Sequence, residues 1–116
     1  MIDTHCHLYD KKLYNQLDKI VENAKNNDIQ KMICIGDRLS TSDQSIEIAE
    51  KYNNIYASVG IHPHEAKGAS KQYLNELKKK AAHQKVVAIG EIGLDYHYNF
   101  SDSITQKKIF SEQLEL

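Results

Sequence analysis

Short apolar runs recur four times along this chain, each followed by a stretch of helical periodicity, and that alternation limits the folds open to it. Met32-Ile33-Cys34-Ile35-Gly36 and Val86-Val87-Ala88-Ile89-Gly90 are continuous apolar segments, as expected of strands buried on both faces. Residues 2–7 and 55–61 complete the set, the latter halted by Pro63, which cannot donate a ladder hydrogen bond. Leu13, Leu17, Ile20, Val21 and Ala24 then predict one amphipathic helix, ended by Asn26-Asn27-Asp28. Thr41 and Gln44 stand at capping-box spacing before a second helix, with Ile46, Ala49 and Tyr52 on one face. A third, over 70–82, is capped by Ser70 and packs through Leu74, Leu77 and Ala81. Ser103 and Gln106 repeat the capping spacing before a fourth, whose stripe of Ile109, Phe110 and Leu114 is still running at Leu116.

Strand followed by helix, four times in 116 residues, argues a parallel sheet with helices packed outside it. A doubly wound sheet would carry a glycine-rich phosphate turn after strand 1, where this chain has Thr4-His5-Cys6-His7. A (β/α)₈ barrel needs roughly 250 residues, near what eight units of about 29 residues would supply. The expectation is the first half of a TIM (β/α)₈ barrel, four strands alternating with helices. Residues 1–116 would be the N-terminal half of a single barrel domain, cut within the helix after strand 4.

The 41% hydrophobic and 27% charged content is that of a soluble globular chain. A net charge of -1 provides no global field to draw it to nucleic acid, so a polyanion would have to be held by metal ions or a local patch. Cys6 and Cys34 lack CxxC spacing and fit a reducing compartment. With no apolar run of 18 residues there is no candidate membrane span or signal peptide, and a cytoplasmic location is expected.

His5 and His7 lie two apart on a strand, where alternate residues share a face, so both imidazoles project together and Cys6 turns away. Such a pair is suited to a divalent ion; two satisfied polar histidines near a terminus are the plainer alternative. Asp3, one step further in, could orient a histidine N–H. His62 and His64 flank Pro63 just past strand 3, where they could bind metal, donate to an anionic oxygen or act as a general acid. Glu91 follows strand 4, with Gly90 and Gly93 expected to give the backbone room beside it. Its two oxygens could bridge two cations, a second of which activates water. Asp95 could orient a water or ligand, or cap a turn. Tyr96 and His97 stand near the mouth, where an aromatic could stack on a base. Histidines after strands 1 and 3 and a glutamate after strand 4 all belong at one end of a parallel sheet, the end where barrel active sites gather.

THCHL at 4–8, VGIHPH at 59–64 and AIGEIGLDYH at 88–97, in this order and spacing, resemble the TatD family of metal-dependent deoxyribonucleases, and FSDSITQKKIFSEQLEL resembles the family's helix after strand 4. The resemblance implies an amidohydrolase-like barrel that hydrolyses phosphodiesters of DNA, acting as an exonuclease on single-stranded ends. It implies two divalent ions (zinc, manganese or magnesium), with His5 and His7 as ligands of one and Glu91 bridging the pair. It puts His62 and His64 on the substrate-phosphate side, with Glu91, His62 and Asp95 in the catalytic group and Tyr96 and His97 beside the substrate. The family's further ligands, two histidines and an aspartate on later strands, have no counterpart in this sequence. Association with a missing barrel half is therefore expected, as are two rival readings: hydrolysis of another ester or amide on the same scaffold, or a non-catalytic half-barrel.

Overall fold

Four strands form one sheet in the order β1-β2-β3-β4, every neighbouring pair parallel. The computed structural model describes all of residues 1–116. The strands are β1 (Ile2–Cys6), β2 (Lys31–Ile35), β3 (Ile55–Val59) and β4 (Val86–Ile89). Between and after them lie α1 (Lys11–Tyr14), α2 (Leu17–Asn26), α3 (Leu39–Lys51), a 3-10 turn (Pro63–Gly68), α4 (Tyr73–Ala81) and α5 (Ser103–Leu114). Sequential order across the sheet follows from parallel pairing, because each helix carries the chain back to start the adjacent strand.

The core lies between the sheet and its helices, in two clusters. Met32, Cys34, Ile55 and Ala57 meet Leu8, Leu17, Ile48 and Ala49 in the first. Val59 and Ile61 meet Ala66, Tyr73, Leu77 and Ile109 in the second. Cys34 and Ala57 are register partners across β2 and β3, so the apolar runs read from sequence align their buried positions side by side. The opposite face carries Ile33, Ile35, Ser58 and Ala88 around a cleft of about 390 Å³ that also reaches His5 and Glu91. At the two sheet edges, Ile2 on β1 and Val87 on β4 are half-exposed. This is the arrangement expected of half a barrel. No helix is long and apolar enough to cross a membrane.

Several local expectations are corrected. The first helix is broken in two: Asp10 caps a single turn through the Lys12 N–H, Gln16 leaves helical geometry, and the stripe from Leu17 to Ala24 then packs as expected. α3 starts at Leu39, before Thr41, whose hydroxyl reaches back to accept from the N–H groups of Asp37 and Arg38, 3.0 Å each. α4 starts at Tyr73, and Ser70 contributes its carbonyl to the Tyr73 N–H. α5 is capped by Asp102 and not Ser103; its carboxylate accepts from the Ile104 and Thr105 N–H groups. The buried stripe of α5 is Gln106, Ile109 and Gln113, while Leu114 is 63% exposed. Two amides displace the predicted apolar stripe because they satisfy backbone groups that the fold would otherwise bury unpaired.

Candidate metal centre

β1 ends at Cys6, and His5 and His7 leave it on one side, as strand alternation requires. Their Nε2 atoms approach to 3.2 Å. Cys6 turns the other way, its thiol donating to the Ile33 carbonyl at 3.2 Å. Asp3 accepts from the backbone N–H of His5, not from either ring.

Glu91 stands beyond the end of β4, and the sheet's hydrogen bonding extends past the strands to hold it. The Gly90 N–H donates to the Val59 carbonyl and the Glu91 N–H to that of Gly36, at 2.9 and 2.7 Å. Gly60 makes this possible: a Cβ there would lie 2.8 Å from the Gly90 carbonyl carbon. The close approach is thus at Gly60, where Gly90 and Gly93 were expected to provide it. Gly93 is needed for its φ of 152°, and a Cβ on it would meet nothing.

Held there, Glu91 presents Oε2 to His5 Nε2 and Oε1 to His62 Nε2, each at 3.6 Å. The donor atoms of His5, His7 and Glu91 all lie within 4.8 Å of one another. Ligands about 2.1 Å from a tetrahedral ion stand about 3.4 Å apart, and the 3.2 and 3.6 Å spacings bracket that value. Two imidazoles and a carboxylate are a donor set that zinc or manganese accepts, so these residues fit a divalent cation.

His7 has a partner behind it that the sequence reading did not include. Its Nδ1 meets the Tyr9 hydroxyl at 2.7 Å, which orients the ring, and with the proton on Nδ1 the Nε2 lone pair is available to a cation. Burial, and then the nearby Asp37 carboxylate, push the Tyr9 hydroxyl up to about 12, so it stays a neutral hydroxyl. Asp37 is buried enough to raise its own pKa, yet bonds from Arg38 and Thr41 hold it below the usual carboxylate range.

His62 is oriented differently. Its Nδ1 accepts from the His64 N–H at 3.1 Å, so in the neutral ring Nε2 carries the proton and points a donor at the Glu91 side of the site. His64 turns to Asp95 instead, Nε2 to Oδ2 at 2.5 Å. Asp95 also accepts from the His97 N–H at 2.8 Å. The His64 bond first, and then that amide, lower its pKa. Asp95 is therefore the hub of the loop after β4 and lies outside the group of three side chains that could hold a metal ion. Tyr96 and His97 are exposed on that loop, and His97 is not among the three side chains that could hold an ion.

Behind this rim, α5 acts as a brace that sequence periodicity did not reveal. The Gln113 amide accepts from the Ile61 N–H at 2.7 Å and donates to the Ile61 carbonyl at 3.1 Å, fixing the residue before His62. Gln106 does the same for Asp95, accepting from its N–H and donating to its carbonyl, both at 2.8 Å. Ser101 donates to the His64 carbonyl. The available signal was a pair of glutamines seven apart, flanking Ile109 on what should have been the apolar face.

A sequence model of the TatD related DNase family matches residues 2–116. The chain belongs to that family. A TatD relative with a solved structure, YJJV from Escherichia coli K12, superposes with a TM-score of 0.89 at 29% identity, over 99% of this chain and 45% of that one. A TatD family hydrolase from Entamoeba histolytica gives 0.87 at 30% identity, over 97% and 44%. Among curated relatives, the metal-dependent hydrolase YabD of Bacillus subtilis is 37% identical over all of this chain and 46% of its own length. The 3'-5' ssDNA/RNA exonuclease TatD of Cronobacter turicensis is 31% identical, over 44% of its length. The chain thus spans about half the length of the TatD relatives it matches, and its four strands correspond to the N-terminal half of their barrel.

Proposed function

We propose that this chain carries the metal-holding half of a (β/α)₈ barrel that hydrolyses phosphodiester bonds in nucleic acid, removing nucleotides from single-stranded DNA ends. The observation that carries this is the convergence of His5, His7 and Glu91, their ligand atoms all within 4.8 Å of one another, on the C-terminal rim of a parallel sheet. His5, His7 and Glu91 Oε2 would hold one divalent ion, and Glu91 Oε1, facing His62, is free to reach a second. Zinc, manganese and magnesium are the candidates. Bound there, the ions would supply an activated water and offset charge on the phosphoryl oxygens.

The rest falls to the protein's own side chains. His62 offers its Nε2–H as a hydrogen-bond donor to a non-bridging phosphate oxygen, where negative charge builds up in the reaction. His64, engaged with Asp95, sets the position of His62 and lines the phosphate side. Asp95 serves the reaction through that contact, and Tyr96 and His97 flank the incoming strand.

The complete polypeptide loaded with manganese should release nucleotides from single-stranded DNA, and Glu91→Ala should abolish release. Hydrolysis of a simple ester with no cleavage of any nucleic acid would replace this reading with a hydrolase of another ester or amide. A half-barrel that only docks with its other half is favoured for the 116 residues alone, since β1 and β4 are unpaired on their outer sides and Ile2 and Val87 are half-exposed. On that account the isolated chain turns over little substrate and tends to associate. Robust turnover by the monomer would contradict it.

A further inference from the structure

The loop between β4 and α5 ends in aromatic rings that the chemistry above does not use. Tyr98 and Phe100 lie parallel, their planes 2° apart and their centroids 5.6 Å apart. They are 60% and 61% exposed. His64 stands edge-on to both, 5.6 Å from Tyr98 and 4.8 Å from Phe100. Rings of this size left in water forgo the free energy that burial would provide, so a loop free to rearrange would turn them inward. This loop is braced instead. Asp95 Oδ1 accepts from the His97 N–H, Gln106 holds the Asp95 backbone, and buried Ser101 ties the far end to the His64 carbonyl and the Lys67 N–H.

Ring contacts also connect this ledge to the metal centre. The His62 and His64 rings meet edge to face with centroids 4.4 Å apart, and His62 Nε2 faces Glu91 Oε1 at 3.6 Å. A strand with a phosphate at Glu91 and His62 would pass a neighbouring base across His64 toward the aromatic pair. We propose that Tyr98 and Phe100 form a stacking ledge for a nucleobase of single-stranded nucleic acid whose phosphate lies at the His5–His7–Glu91 centre. This rests on the nuclease reading and names how that site selects its substrate. A ledge of parallel rings takes a base only when the base is unstacked, which excludes an intact duplex. It is indifferent to sequence, since every base has a π face. A net charge of -1 gives the chain no global field for the backbone, so base stacking adds grip to the hold on the phosphate at the metal centre.

The test compares two labelled strands with nuclease-resistant phosphorothioate linkages, a short oligothymidine and the same backbone made of abasic sites, each titrated into the complete polypeptide loaded with manganese and followed by fluorescence anisotropy. The base-bearing strand should bind about five- to a hundredfold more tightly. Tyr98→Ala and Phe100→Ala should each shrink that ratio, and Phe100→Trp should keep it. The wild-type comparison does not depend on any variant folding. Equal affinity of wild type for the two strands would overturn the ledge and point to polypeptide as the occupant of these rings, with the nuclease reading intact. Failure to bind either strand would overturn the ledge and the nucleic-acid reading together.

Discussion

His5 and His7 stand two residues apart, as do His62 and His64, yet the pairs do different work. The first pair leaves an extended strand on one side, and its Nε2 atoms meet at 3.2 Å beside one carboxylate. The second flanks a proline that opens a 3-10 turn, where alternation no longer holds. There one ring nitrogen caps the next residue's amide, and the rings divide between Glu91 and Asp95. The same spacing gathers both rings beside one carboxylate on a strand and divides them between two carboxylates on a turn.

The largest expected effect is on the first pair. Replacing both His5 and His7 by alanine should weaken zinc or manganese binding, read by calorimetry, by more than about a hundredfold, since loss of outer partners alone costs 10–100-fold. His62→Ala/His64→Ala should leave that affinity nearly unchanged, and equal losses from the two double variants would erase the distinction between the pairs. Next comes the brace under the second pair. Gln113→Ala strands the N–H and carbonyl of Ile61 in the interior, and chemical denaturation should show a loss of about 2–4 kcal/mol. A loss no larger than that of an exposed substitution would mean that water replaces the amide.

A smaller effect is expected behind the first pair. Tyr9→Phe removes the partner of His7 Nδ1 and should reduce metal affinity about tenfold without altering the fold. The smallest concerns pH. Asp95 has its pKa lowered in the folded chain, by His64 first and the His97 amide second. Its contribution to stability is therefore present above the ordinary carboxylate range and lost as pH falls through the depressed folded value. Protease sensitivity of residues 94–100 should rise in that acidic window, and Asp95→Asn should show the raised sensitivity at neutral pH. An unchanged profile in the variant would remove Asp95 as the hub of this loop.

Much of the architecture was legible because its signals are local. Met32 to Gly36 and Val86 to Gly90 are apolar without interruption, which marks parallel strands. β2 is buried as expected, whereas β4 lies at the sheet edge with Val87 and Ala88 exposed. The helical stripes of Leu17 to Ala24 and of Leu74, Leu77 and Ala81 fall where the structure packs them. Helix starts were misplaced by one to three residues at Thr41, Ser70 and Ser103, because capping spacing tolerates a side chain that reaches back from inside the helix as Thr41 does. α5 was misread for a different reason. Gln106 and Gln113 look like solvent positions until the backbones of Asp95 and Ile61 arrive needing partners.

The sequence by itself determined the succession of strand and helix, the parallel sheet, and the common face of His5 and His7, because periods of 2 and 3.6 are written in neighbouring residues. Only the tertiary structure decided that Glu91 meets His5 on one oxygen and His62 on the other, that Asp95 belongs to His64, and that Tyr98 and Phe100 stand parallel in solvent. Those meetings depend on strand register, on how closely Gly60 lets the loop after β4 approach, and on which backbone groups α5 must satisfy, none of which is a property of any one stretch of chain.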